Sequence, residues 1–234
     1  MDHEASIKEN LGARDVTIVA GLLQHDSVVL VADRRVVYGS GVVHDNHKRL
    51  FGGNGSVGIG VVGSTDIGEA CVGQVALPEH AGATDVAQLV KDLRAAFFDL
   101  VPEEERDRRG FDCLVAGLGH AGGATRPRLW TFSIGADRAV PSTVGLVCMG
   151  VAAPLALAIG GQLHRPDLSA DAALGLGAFL VEATSRCYAS VGGGLDYLVF
   201  EAAPDLAKEP RLGPAWQEES AARLDALFAR WPDG

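Results

Sequence analysis

Nowhere does this sequence approach the roughly 18 consecutive apolar residues of a membrane-spanning helix, so an ordinary helical anchor is excluded. Residues 1–15 are polar and mixed in charge, without the apolar centre of a secretory signal. Positive charge is also short. Thirty acidic residues face 20 basic ones, a net charge of −10. General nucleic-acid binding, which needs a basic face, is therefore not expected. The four cysteines, Cys71, Cys113, Cys148 and Cys187, are far apart, lack paired metal-ligand spacing and sit among apolar neighbours. They read as buried free thiols in a reducing compartment. No internal repeat is visible. The expectation is a cytoplasmic, soluble protein with neither membrane nor nucleic-acid partners.

What is present is enough apolar residue, 47% of 234, for a substantial core in one large domain or two small ones. The organising stretch is 17–51. Residues 17–23 and 28–32 are apolar runs rich in β-branched residues, joined by Gln24-His25-Asp26-Ser27, and read as a β-hairpin covered on both faces. The second run stops on Asp33-Arg34-Arg35. A carboxylate at the end of a buried strand needs partners. Arg34, Arg35 and groups near Thr17 are the candidates. The alternative is that Asp33 marks where the strand meets solvent.

Beyond this, residues 36–43 read as extended chain broken at 38–41, and residues 52–55 as a Gly-rich turn. Residues 56–63 form a strand with alternate glycines. Such a row marks either a close approach by backbone or ligand, or tight packing against a helix. Asp66 and Glu69 have capping-box spacing for a helix to about Val75. A second helix follows Thr84, with Val86, Leu89, Val90, Leu93 and Phe97 on one face. Residues 102–110 are a charged loop. Strands are predicted at 111–118, 129–134, 144–149 and 195–201, and helices at 154–163 and after Ser169, the latter presenting Leu176, Phe179, Leu180, Ala183 and Cys187. An amphipathic helix is predicted near 217–230. Paired rather than alternating helices disfavour a doubly wound sheet and fit two antiparallel sheets with helices outside.

In order and spacing, Thr17-Ile18-Val19-Ala20-Gly21, Ala32-Asp33-Arg34-Arg35 and Asn46-His47-Lys48-Arg49-Leu50-Phe51 resemble the proteasome family of N-terminal-nucleophile hydrolases, its β subunits in particular. Residues 111–117, Gly150 before a helix, and residues 168–173 leading to Ser190 extend the similarity to about residues 17–201. The resemblance implies an α+β fold, a four-layer α-β-β-α sandwich of two antiparallel sheets. It also implies three segments: a leader at 1–16, a hydrolase domain at 17–201 and a tail at 202–234. The implied function is a threonine peptidase whose leader is removed autocatalytically. The freed Thr17 then supplies the hydroxyl nucleophile and, through its α-amine with a pKa of about 7.7–8.0, the base. Asp33 takes the acidic position, Arg49 the catalytic cation, Ser190 a supporting place, and Arg35 a structural one. Gly60, Val36 and Val37 border the substrate, Gly60 through its backbone at the oxyanion. A peptide or small amide substrate, no cofactor and a homo-oligomer, by analogy a ring, complete the set.

The departures leave two readings open. Lysine is usual where Arg49 stands; arginine keeps the charge but cannot release a proton. Lys48 would reach the site only through a one-residue slip. Val151 and Cys187 replace a supporting serine and aspartate, and Val16 replaces the usual glycine before the nucleophile, hindering the strained turn of self-cleavage. One reading is an active threonine hydrolase. The other is a non-catalytic subunit for assembly or binding. His44 and His47 read as surface residues and not as metal ligands, because i, i+3 in a strand points them apart. Asp196 reads as a turn or surface group. Residues 192–194 lack the helix or Lys-Ser/Thr of a phosphate cradle.

Overall fold

The computed structural model describes residues 17–37, 43–45, 47–52, 57–121 and 124–202. The expected leader at 1–16, the break at 38–41, most of the 52–55 turn and the helix near 217–230 lie outside these residues.

The opening hairpin forms as the apolar runs require. Strand β1 (Val19–Leu23) pairs antiparallel with β2 (Ser27–Asp33), in register Val19 to Ala32, and every residue of β2 is buried. Short strands β3 (Val36–Val37) and β4 (Val43–His44) pair with each other. Then come β5 (Leu50–Gly52), β6 (Val57–Gly63), helix α1 (Thr65–Gln74), helix α2 (Ala83–Leu100) and a 3₁₀ turn at Glu103–Glu105 inside the charged loop. Strands β7 (Phe111–Ala121), β8 (Ala124–Ser133), β9 (Val140–Pro141) and β10 (Leu146–Met149) follow. Helices α3 (Ala153–Leu163) and α4 (Ala170–Cys187) precede the last strand, β11 (Leu195–Glu201). One sheet runs β10-β1-β2-β11 and the other β5-β6-β7-β8-β9, with antiparallel pairing throughout. This is a mixed α/β architecture with four α-helices among the described residues.

Strand alternation sorts the core. Ile18, Ala20, Leu22, Val29 and Val31 pack with Ala156, Ala173 and Leu180 of α3 and α4. Their neighbours Val19, Val28 and Leu30 turn the other way, onto Leu50, Leu114, Leu129 and Leu198. Val57, Ile59, Val61, Cys113 and Phe132 meet Val72, Leu89, Leu93 and Phe97 of α1 and α2. The alternate glycines of β6 answer to close packing of the opposite sheet and not of a helix. A Cβ on Gly58 would lie 2.5 Å from Leu198, and one on Gly60 2.5 Å from Val19.

Two helices differ from expectation. Helix α1 starts after Ser64, and Asp66 is not its cap. Asp66 instead pairs with Arg109 at 2.7 Å, and Glu69 faces His47 at 3.6 Å. The chain turns at Gly63, whose φ of +98° ends β6 early enough for the helix to begin at Thr65. Helix α4 is capped by Ser169, which accepts from the Ala172 amide, but it is rotated from the expected face. It buries the expected Leu180 and Ala183 together with Ala173, Gly177 and Thr184, leaves Leu176 and Phe179 half-buried, and exposes Cys187. Small residues win because α4 lies close on β2: a Cβ at Gly177 would stand 2.7 Å from Val31. The expectation of four buried thiols is corrected accordingly for Cys187.

The β1–β2 turn carries a pH-sensitive contact. Gln24 Nε2 donates to His164 Nε2 at 3.0 Å, which requires the neutral ring. Burial holds the His164 pKa below its ordinary value, although a hydrogen bond to the Leu23 backbone pulls it up. A depressed histidine favours the fold above its unfolded pKa of about 6.5. That contribution is lost as pH falls below this value. Thermal unfolding followed from pH 7.5 to 5 should therefore show a decline in midpoint, and His164→Gln should flatten it.

Candidate active site around Thr17

The register of β1 on β2 sets Ile18 opposite Asp33. The Asp33 amide donates to the Ile18 carbonyl at 3.2 Å, and the Ile18 amide donates to Asp33 Oδ1 at 3.1 Å. That places the preceding residue, Thr17, with its hydroxyl donating to the same Oδ1. Oδ2 accepts from the Gly192 amide at 3.0 Å. Arg49 brings its Nε to 3.5 Å from Oδ1, while its Nη2 donates to the Arg35 carbonyl. Thr17, Asp33 and Arg49 are all fully buried. Asp33 is thus a buried ion-pair member and not a residue at the solvent margin. Burial raises its pKa above the usual carboxylate range, against the pull of Arg49 and of the Thr17, Ile18 and Gly192 hydrogen bonds.

The expected partners Arg34 and Arg35 point elsewhere. Arg34 binds Asp196 at 2.6 Å, so Asp196 is a largely buried ion-pair partner and not a surface group. Arg35 binds Asp45 at 2.7 Å and the Ala189 carbonyl at 2.9 Å. Lys48 lies over the Phe51 ring at 5.5 Å, so Arg49 is the cation that faces Asp33.

Two glycines that the sequence reading left without a contact hold this cluster. Gly192, Gly193 and Gly194 all have positive φ, and the turn they make aims the Gly192 amide at the carboxylate. Within the run it is the Gly192 amide that holds the carboxylate. Its signal was three successive glycines directly before a strand. Gly150, at φ +101°, lies against Thr17, where a Cβ would fall 2.1 Å from the Thr17 carbonyl oxygen. The pairing of Val19 with Met149 brings it there. Val151, which follows, is exposed.

The remaining sequence-derived residues are less tightly gathered. Ser190 is half-buried in the turn before Gly192. Val36 is buried and Val37 half-buried, both in β3 directly after Arg35. Gly60 faces Val19 and Leu50 between the sheets, so its lack of a side chain serves packing. His44 is exposed and His47 half-buried, and no group of three or more metal-ligating side chains occurs among the described residues. Burial pushes the Cys71 and Cys148 thiols up to about 11 and 12. Neither carries much thiolate at neutral pH.

No family model matches this sequence, and no curated protein does. Solved structures do. The fold matches that of Anbu. Anbu from Yersinia bercovieri, the ancestral β-subunit, aligns with a TM-score of 0.65 at 14% identity, over 93% of this chain and 98% of that one. A Gly-1 mutant of Anbu from Hyphomicrobium sp. strain MC1 gives 0.67 at 18% identity, and a second structure of Anbu from that strain gives 0.67 at 17%. Both cover 93% of this chain and 99% of theirs. At these identities the likeness to Anbu is one of fold, and that fold is proteasome-like. The resemblance to proteasome β subunits is corrected by it: the structural neighbours are Anbu proteins. The segments that suggested β subunits are β1, the end of β2 and the approach to β5, which meet around Asp33. No helix among the described residues is long and apolar enough to cross a membrane.

Proposed function

We propose that this protein is an Anbu-like threonine hydrolase that cleaves peptide or amide bonds once Thr17 has been released from residues 1–16. The observation that carries this is the buried cluster in which the Thr17 hydroxyl donates to Asp33 beside Arg49. A hydroxyl needs a positioned acceptor to act as a nucleophile, and a fixed cation beside it stabilises the developing negative charge. Thr17 is nucleophile and, when free, its α-amine is a base matched to neutral pH. Asp33 orients it, Arg49 supplies a fixed field, and the Gly192 amide fixes Asp33. Ser190, Val36, Val37 and the Gly60 backbone are proposed to flank the bound substrate. The three core clusters support a four-layer α-β-β-α sandwich across residues 17–201, and the description of Anbu as a β-subunit supports a homo-oligomer.

One observation favours the second reading, a non-catalytic subunit. Thr17 is fully buried with its hydroxyl engaged, and Arg49 cannot shuttle a proton. The two readings separate on treatment with an electrophile that bonds both a hydroxyl and an α-amine. The hydrolase should gain one equivalent of mass on the peptide beginning at Thr17, and Thr17→Ala should gain none. A folded chain that takes up no label and cleaves no peptide amide is the non-catalytic subunit.

A further inference from the structure

We infer that a cleft at the C-terminal end of α2 is a binding site for a short apolar peptide with free termini. This does not depend on the reading of Thr17. The cleft has a volume of about 640 Å³ and lies between α2, the charged loop that follows it and the ends of β7 and β8. Small-molecule sites run from about 300 to 1,000 Å³. Its floor is apolar. Phe97, Phe111 and Ile134 are buried there, and the two rings meet edge to face at 6.0 Å. Phe98 beside them is 42% exposed, an aromatic surface open to an apolar side chain.

Charge of both signs lines the same cleft without being paired. Arg94 lies over the Phe98 ring, 5.6 Å from its centroid, and has no ion-pair partner among the described residues. Glu103, Asp107 and Asp112 have none either. Exposure alone does not explain this, because Arg109 in the same loop pairs with both Asp66 and Glu105. Arg106 is committed elsewhere. Its Nε and Nη2 donate to the Val101 and Phe98 carbonyls, each at 3.0 Å, and its guanidinium lies over the Phe98 ring at 4.8 Å. Arg106 thus fixes the last turn of α2, and Arg94 is the cation left for a ligand.

These features select a class of ligand. A simple anion would meet three carboxylates, and a simple cation would meet two guanidiniums. A hydrocarbon would cover the charges and leave them unpaired. A zwitterion with an apolar side chain satisfies all of them. Its carboxylate takes the planar N–H fork of Arg94, its ammonium takes the acidic side, and its side chain covers Phe98 and the floor. The backbone at Gly135 is open to a peptide group between the two charges: a Cβ there would meet nothing within 4 Å.

The test is calorimetric titration of the full chain with leucyl-phenylalanine, its C-terminal amide and its N-acetyl form. The wild type should bind the free dipeptide about 10-fold or more tightly than the amide, the scale of a lost hydrogen bond to a charged group. In Arg94→Met, which keeps an apolar stem over Phe98, the two forms should bind equally. Glu103→Gln, Asp107→Asn and Asp112→Asn together should likewise abolish the preference for the free amine over the N-acetyl form. Thr17→Ala should bind as the wild type does, which separates this cleft from the Thr17 site. Absence of binding at millimolar dipeptide overturns the assignment. So does a carboxylate preference that persists in folded Arg94→Met, or binding that is lost in Thr17→Ala. None of these results bears on whether Thr17 is a nucleophile.

Discussion

Arg49→Met should lower stability by about 3–5 kcal/mol, the range for removing one partner of a buried ion pair and leaving the other uncompensated. Asp33 would keep its Thr17, Ile18 and Gly192 donors but lose its only ion-pair contact among the described residues. The loss has a pH signature. Burial already raises the Asp33 pKa, and Arg49 pulls it down, so the variant raises it further. A raised carboxyl favours the fold below its unfolded pKa of about 3.9 and loses that contribution as pH rises through the folded value. The deficit of Arg49→Met relative to wild type should therefore be largest near neutrality and shrink on acidification. Chemical denaturation at pH 7 and pH 4 measures both. Pairing the change with Asp33→Asn should recover part of the loss, because two neutral groups need no counter-charge.

Gly150→Ala should have a comparable effect for a different reason. At φ +101° an alanine is strained, at about 1–3 kcal/mol. Its Cβ would also meet the Thr17 carbonyl oxygen at 2.1 Å, a collision with backbone that no rotamer relieves. Overpacking of that kind adds about 1–3 kcal/mol. Whatever relaxation occurs must move Thr17 or the β10–α3 turn, and a displacement near 1 Å at a reacting group costs about 100-fold in rate. Labelling of Thr17 by the hydroxyl-and-amine electrophile should fall by that factor even at temperatures where the variant is folded. A Gly150→Ala protein that labels normally would show that Thr17 is not held against this turn.

Most of the longer strands and α2 were legible in the sequence because their patterns are local, whereas β9 and the first half of β8 were not. Residues 195–201 and the five apolar positions of α2 follow from period and composition, and the observed elements coincide with them. The face of α4 did not follow. Hydrophobic size points to Leu176 and Phe179, whereas the helix turns Gly177 and Ala173 onto Val31 and its neighbours, a preference set by how closely the helix approaches β2. Charge pairing was illegible for a similar reason. Arg34 and Arg35 are adjacent to Asp33 in sequence, yet their partners, Asp196 and Asp45, are fixed by β11 and by the segment after β4. Arg49 reaches Asp33 from 16 positions away, and Gly192 from 159. At the site, Thr17, Asp33 and Arg49 could be named from ordered motifs. Gly192 and Gly150 could be named as glycines in suggestive places, but their contacts with Asp33 and Thr17 depend on tertiary register alone.

For the proposed hydrolase, the N-terminal residue of whatever fraction cleaves peptide amides is the most direct measure of the mechanism. Intact mass together with N-terminal sequencing of the active fraction should show a chain beginning at Thr17, lighter by residues 1–16, and a full-length chain in Thr17→Ala. Hydrolysis by a protein in which Val16 and Thr17 are still joined would contradict the mechanism.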